Sequence, residues 1–254
     1  LSRQHLGHGN AIAMPYHHVI LPLSTLRDKI TEVRWGIADF RRRFGREPVG
    51  MWLPGTAGDH EPLGVLAAHC IRFTIVAPQQ VVRAPRGGMP GIQRTASGDS
   101  ITLFVYDGPM SHDVAFGPLV RDAAAWLSRI AEAETDGARL ISVATDGETY
   151  GHHHKFGEMA LAQVLTAAES VNVRPENFAS FLARHPPTEE VELVSPSAWS
   201  CVHGVGRWMS DCGCRIAPER GWNQQWRAPL RKSFAWLAEQ LHDTFEREGR
   251  LLFP

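Results

Sequence analysis

The feature that most constrains the fold is the alternation of short apolar runs with amphipathic helical stretches. Val49–Leu53, Arg72–Val76, Ile101–Tyr106, Leu140–Ala144 and Val191–Val194 read as strands. Between them, Leu26–Phe44 sets Leu26, Ile30, Val33, Ile37, Phe40 and Phe44 three or four residues apart, the signature of one helix face. Helical patterns recur over Asp59–His69, Leu119–Glu134, Phe156–Val171, Phe178–Arg184 and Ala228–Glu248. Parallel strands need crossovers long enough to hold a helix, so this alternation predicts a parallel α/β architecture. No glycine fingerprint or phosphate loop follows the first strands, which favours a barrel-like arrangement over a nucleotide-binding sheet. Arg83–Ser100, rich in Gly and Pro without a period, reads as a surface loop or small excursion. Arg41-Arg42-Arg43 reads as a solvated helix end, Gly45 as its C-cap, and Cys70 as a buried small side chain.

The 254 residues, 43% hydrophobic and 21% charged, suffice for one large domain, expected over residues 1–254. A formal net charge of -1 gives no basis for nucleic acid or an anionic membrane as partner. No apolar run approaches the length of a bilayer span. Leu1–His5 lacks the basic start and apolar core of a signal peptide, and the cytoplasm is the default expectation. The chain begins without methionine and stops at Leu251-Leu252-Phe253-Pro254, as a fragment of a longer chain would.

Chemistry is expected first where Leu140-Ile141-Ser142-Val143 runs into Ala144-Thr145-Asp146-Gly147-Glu148-Thr149-Tyr150-Gly151-His152-His153-His154. In barrels of alternating strands and helices, the reacting groups sit at the carboxyl ends of the strands. Asp146 and Glu148, two apart, share a face if the strand end stays extended. Three consecutive histidines cannot all point into one site; at a helix start His152, alone or with one other of the run, is expected to face it, with the rest exposed. Met51-Trp52-Leu53-Pro54-Gly55-Thr56 is the second such strand end.

Four segments together resemble glycoside hydrolase family 57. Pro15-Tyr16-His17-His18-Val19-Ile20-Leu21-Pro22-Leu23 is similar to its "YYHPILPL" segment and Gly50-Met51-Trp52-Leu53-Pro54 to "GMWLPE". Asp146-Gly147-Glu148-Thr149-Tyr150-Gly151 is similar to "DGETFG", and Ser197-Ala198-Trp199-Ser200 loosely matches the last family segment. The resemblance spans residues 8 to 245 and implies an incomplete (β/α)7 barrel acting on α-glucan, with no cofactor required. The family's opening His-Gln-Pro segment is absent, so the first strand is expected to be missing from this chain.

By the same resemblance Asp146 is the general acid/base, with Glu148 beside it. His18, Trp52, His152 and Trp199 line the sugar subsites. The nucleophile position is occupied by Gly55, which has no side chain to attack with. A retaining glycosidase needs two carboxylates about 5–5.5 Å apart. Asp59, four residues on, either activates a water from a wider separation, giving an inverting mechanism, or caps the helix that follows. Three functions follow: an α-glucan hydrolase or transferase, a non-catalytic glycan-binding relative, or a metal-dependent deacetylase using Asp146, His152 and His18.

Cys201, His203, Cys212 and Cys214 concentrate three thiols and an imidazole in fourteen residues. Three thiolates and one neutral imidazole would satisfy a structural zinc. A disulfide within the set and three unlinked thiols are the competing states, with a stable disulfide disfavoured in the cytosol.

Overall fold

The computed structural model describes residues 5–215 and 218–252. Contacts divide the chain into two compact units, Leu1–Trp199 and Ser200–Pro254. The first carries the expected α/β fold. Helix α1 (Leu26–Phe44) starts where the Thr25 hydroxyl accepts the Asp28 N–H, and stops where Gly45 turns left-handed at φ 63° to donate to the Arg41 carbonyl. Its apolar face buries Val33, Ile37 and Phe40, and Arg41–Arg43 stay exposed. Helix α2 (His60–Ala68) follows its own cap, Asp59.

Strands β1 (Phe73–Val76), β2 (Gly91–Arg94) and β3 (Ser100–Val105) form a sheet in the order β1-β3-β2. β1 and β3 are parallel, from Phe73↔Thr102 to Val76↔Val105. Parallel pairing continues beyond β1 through single bridges at Gly50↔Phe73 and Ala13↔Met51. Val49–Leu53 therefore joins the sheet as expected, but too briefly to count as a strand.

Four expectations are corrected. Leu140–Ala144 is not a strand: Leu140 donates to the Gly87 carbonyl, Ser142 accepts from Asp107, and Ala144 donates to the Ser111 hydroxyl. Its apolar residues are half-buried, packed against neighbouring apolar clusters rather than paired in a ladder. Val191–Val194 makes an isolated antiparallel bridge, Val81↔Leu193, in place of a strand. Within the expected loop Arg83–Ser100, β2 pairs antiparallel to β3 from Gly91↔Leu103 to Arg94↔Ser100. Only Ile92 of β2 carries a β-branched side chain, and Gly91 is required by contact, since a Cβ there would lie 2.7 Å from Val191. Cys70, expected inside, is exposed at φ 62° just beyond α2.

The Phe73 ring lies directly on the Gly50 backbone, and a Cβ at Gly50 would sit 2.2 Å from the ring edge. Phe73 is fully buried against Phe104 and Phe178, with centroids 5.3 and 5.8 Å away, so it has no room to retreat. Gly50→Ala is expected to lower unfolding stability by about 1–3 kcal/mol through overpacking. Urea denaturation checks this; an unchanged midpoint would show that the ring and backbone are not so apposed.

Helices α3 (Gly108–Ala115), α4 (Ala123–Thr135), α5 (Gly157–Ala167) and α6 (Phe178–Arg184) complete the first unit. The second unit contains an irregular segment followed by α7 (Arg227–Thr244), which buries none of its residues despite the apolar stripe through Leu230, Phe234, Leu237 and Leu241. Among the described residues, no helix is long and apolar enough to cross a membrane.

Candidate active site

The carboxyl ends of the parallel segments gather Trp52–Thr56, Ala77–Gln80 and Tyr106-Asp107 along one edge of the sheet. Tyr106 donates its N–H to the Val76 carbonyl at 3.1 Å, and Asp107 donates to Ser142 at 2.7 Å. The second bond brings in the segment that leads to Asp146.

At the first of these ends, the chain makes a 3-10 turn over Pro54–Thr56. Gly55 and Thr56 are both left-handed, at φ 63° and 50°. That conformation is free for glycine and strained for β-branched threonine. Thr56 is held there by bonding across the fold. Its hydroxyl donates to Gln80 Oε1 at 2.6 Å and accepts the Trp199 N–H at 2.9 Å. Gln80 Oε1 also accepts the Ala77 N–H at 3.0 Å, while Nε2 donates to the Thr56 carbonyl at 2.8 Å and to Ser197 Oγ at 3.2 Å. Trp199 is thereby docked beside Trp52, their rings edge-to-face with centroids 5.2 Å apart, and both half-buried.

Three aspartates mark this edge, and they have different duties. Asp59 Oδ1 accepts the His60 N–H at 2.6 Å and the Ser195 hydroxyl, which is the helix-cap role. Asp107 Oδ1 accepts the Met110 N–H at 2.8 Å at the start of α3. Asp146 precedes the 3-10 turn Gly147–Thr149, but its side chain makes no capping bond and is exposed. Glu148, expected on the same face of an extended end, instead lies within that turn, because the chain bends at Gly147.

The histidine run divides differently from expectation. His152 and His153 are exposed, with ring centroids 5.1 Å apart, whereas His154 is buried. His154 Nε2 lies 2.9 Å from the Ala115 carbonyl and Nδ1 lies 3.2 Å from Arg121 Nη2. Nε2–H therefore donates to the carbonyl, and Nδ1 accepts from the guanidinium. This residue ties the Asp146 loop down through its own carbonyl, which accepts the Gly151 N–H. Burial raises the Tyr150 phenol pKa, opposed by the Thr145 hydroxyl that donates to it at 3.0 Å, and burial pushes Tyr106 up to about 12. His18 is exposed beside His17, which Glu32 holds through both the ring and the backbone N–H, at 2.7 and 2.8 Å.

Sequence reasoning passed over Gln80, Thr56, Asp107 and His154. The position of Gln80 and Asp107 just beyond strand ends was a usable signal; nothing local distinguishes His154 from its neighbours.

Among the described residues, one group of side chains is close enough to share a metal ion: Cys201, His203, Cys212 and Cys214, with ligand atoms within 4.8 Å of one another. Asp146, His152 and His18, the set a deacetylase would use, do not form such a group.

The sequence model of glycosyl hydrolase family 57 matches residues 4–194, and that of a domain of unknown function, DUF3536, matches residues 222–254. No curated protein sequence matches the chain. An exo-type maltose-forming amylase from Pyrococcus sp. ST04 shares the fold at TM-score 0.79 and 16% identity, over 94% of this chain and 46% of its own. A family 57-type branching enzyme from Pyrococcus horikoshii aligns at TM-score 0.65 and 19% identity, over 81% and 50%. A 4-α-glucanotransferase from Thermococcus litoralis aligns at 0.61 and 16%, over 93% and 33%. The chain thus spans half or less of the length of each.

Proposed function

Because the chain belongs to glycosyl hydrolase family 57, we propose that it is an α-glucan-binding member whose retaining chemistry is interrupted at Gly55. In this reading the first unit is an incomplete (β/α)7 barrel and its carboxyl edge is the glucan cleft, the edge where such folds keep their chemistry. Trp52 and Trp199 form one wall, offering apolar ring surface to sugar faces. Asp146 is the acid/base carboxyl. Its freedom from capping supports that role, because a side chain already committed to backbone N–H groups is poorly placed to exchange a proton with a substrate.

The observation that carries the reading is the side-chain-free, left-handed Gly55, which the family resemblance sets at the nucleophile's position, with Asp59 committed to α2. Retaining hydrolysis forms a bond from a carboxylate oxygen to the anomeric carbon as the leaving oxygen is protonated, and water then breaks that bond. Without the first carboxylate, the glycosyl-enzyme intermediate does not form. The cleft still holds glucan because the Trp52–Trp199 wall and its Gln80 support are intact.

The test is calorimetric titration of the chain with maltooligosaccharides, alongside a product assay with and without azide. Saturable binding, no release of sugar, and glycosyl azide formed only when azide is present are expected. Hydrolysis without azide would overturn the proposal, as would the absence of binding.

A further inference from the structure

We propose that Cys201, His203, Cys212 and Cys214 hold a structural zinc ion within the Ser200–Pro254 unit, a site independent of the glucan reading. Cys201 Sγ lies 3.8 Å from Cys212 Sγ and 3.8 Å from Cys214 Sγ, and Cys214 Sγ lies 3.5 Å from His203 Nδ1. A tetrahedral ion with Zn–S of about 2.3 Å and Zn–N of about 2.0–2.1 Å sets its ligands apart by about 3.8 Å for each sulfur pair and about 3.5 Å for sulfur to nitrogen. These three of the six ligand separations match the edges of that tetrahedron, and all six lie within 4.8 Å.

The same distances argue against a disulfide, which requires sulfurs about 2.05 Å apart. Cys201 is equally far from both partners, so a bond to either would break the symmetry of the set and strand the third thiol.

The backbone is shaped for this convergence. Gly213 is left-handed at φ 88°, and that reversal lets Cys212 and Cys214, two residues apart, aim at one point. Gly206 leaves the interior of the loop open: a Cβ there would lie 3.3 Å from both Cys212 Cβ and His203 Cβ. Soft sulfur ligands in a tetrahedral array select zinc over magnesium or calcium. Four protein ligands leave no open position for water, which makes the ion structural rather than catalytic. It would pin a segment that has no strand and only one short 3-10 turn between Ser200 and Cys214.

The test uses the whole chain, expressed with zinc and dialysed. Elemental analysis is expected to find one zinc per chain. A thiol reagent is expected to modify the exposed Cys70 at once and the other three thiols only after a strong chelator is added. Cobalt substituted for zinc is expected to give the intense visible bands of a tetrahedral site together with thiolate-to-metal charge transfer. His203→Cys should keep the ion and shift those bands, whereas Cys212→Ser should lose it. If the serine variant fails to fold, the cobalt spectrum of the unaltered chain still decides. The proposal is overturned by a chain that takes up no zinc, by immediate reaction of all four thiols in the zinc-treated chain, by an octahedral cobalt spectrum, or by a purified chain carrying a disulfide within the cluster.

Discussion

Gly55→Glu is expected to turn a glucan-binding chain into one that cleaves α-glucan, raising turnover by on the order of 10⁴-fold or more, the scale on which removal of a catalytic nucleophile acts in the opposite direction. The substitution supplies the carboxylate that the retaining mechanism lacks and leaves Asp146 to protonate the leaving oxygen. It has a structural cost. Position 55 has φ 63°, where a side chain adds roughly 1–2 kcal/mol of strain, so the variant is expected to unfold at lower urea concentration even as it gains activity. Gly55→Gln carries the same bulk and strain without a nucleophile, and should bind glucan yet release no sugar. Adding Asp146→Ala to Gly55→Glu should abolish the gain. Reducing-sugar assays on the four chains decide the matter. Equal behaviour of the Glu and Gln variants would mean that position 55 does not address the reacting carbon, and the proposed reason for silence would fall.

The second large effect is expected at Gln80, on stability. Its amide is fully used: Oε1 accepts two hydrogen bonds and Nε2 donates two, all inside the protein. Gln80→Leu keeps much of the volume but leaves the Ala77 N–H, the Thr56 carbonyl and hydroxyl, and the Ser197 hydroxyl short of partners. Buried polar groups left unpaired cost about 1–3 kcal/mol each, and some would find new bonds, so a loss of roughly 3–5 kcal/mol is expected. Thr56 would also lose the tie that holds it left-handed, and with it the support for Trp199. Glucan affinity should therefore fall along with stability in the fraction that stays folded. Gln79→Ala provides the contrast, since the exposed Gln79 side chain makes a single bond to the Trp199 carbonyl and should change the midpoint little. Equal unfolding midpoints for Gln80→Leu and the unaltered chain would refute the network.

What could be read from the sequence is what short-range physics governs. Helix α1 and its Gly45 cap follow from three-to-four spacing and from one residue able to turn left-handed. β1 and β3 follow from β-branched and aromatic runs. The order of the family-like segments, together with Gly55, raises the central question about the chemistry from the sequence alone. Leu140–Ala144 shows the limit of such reasoning: its composition suits a strand, but strands exist only when a partner ladder is present, and that partner is chosen by the rest of the fold.

Tertiary structure decided matters that no local pattern carries. Asp59, Asp107 and Asp146 each stand immediately before a helical turn, yet two are committed to capping and one is not. His154 is buried while His152 and His153 are exposed, because only its ring reaches Arg121 and the Ala115 carbonyl. Thr56 is kept in a strained conformation by the backbone of Trp199, 143 positions away. Cysteine spacing raised the possibility of a metal, but the 3.8 Å separations that distinguish an ion site from a disulfide exist only after the chain has turned at Gly213. Periodicity and capping act over a few residues and can be read in order along the chain. Which polar group remains free, and which are consumed in holding the fold, is settled by partners far apart in sequence, and only folding brings them together.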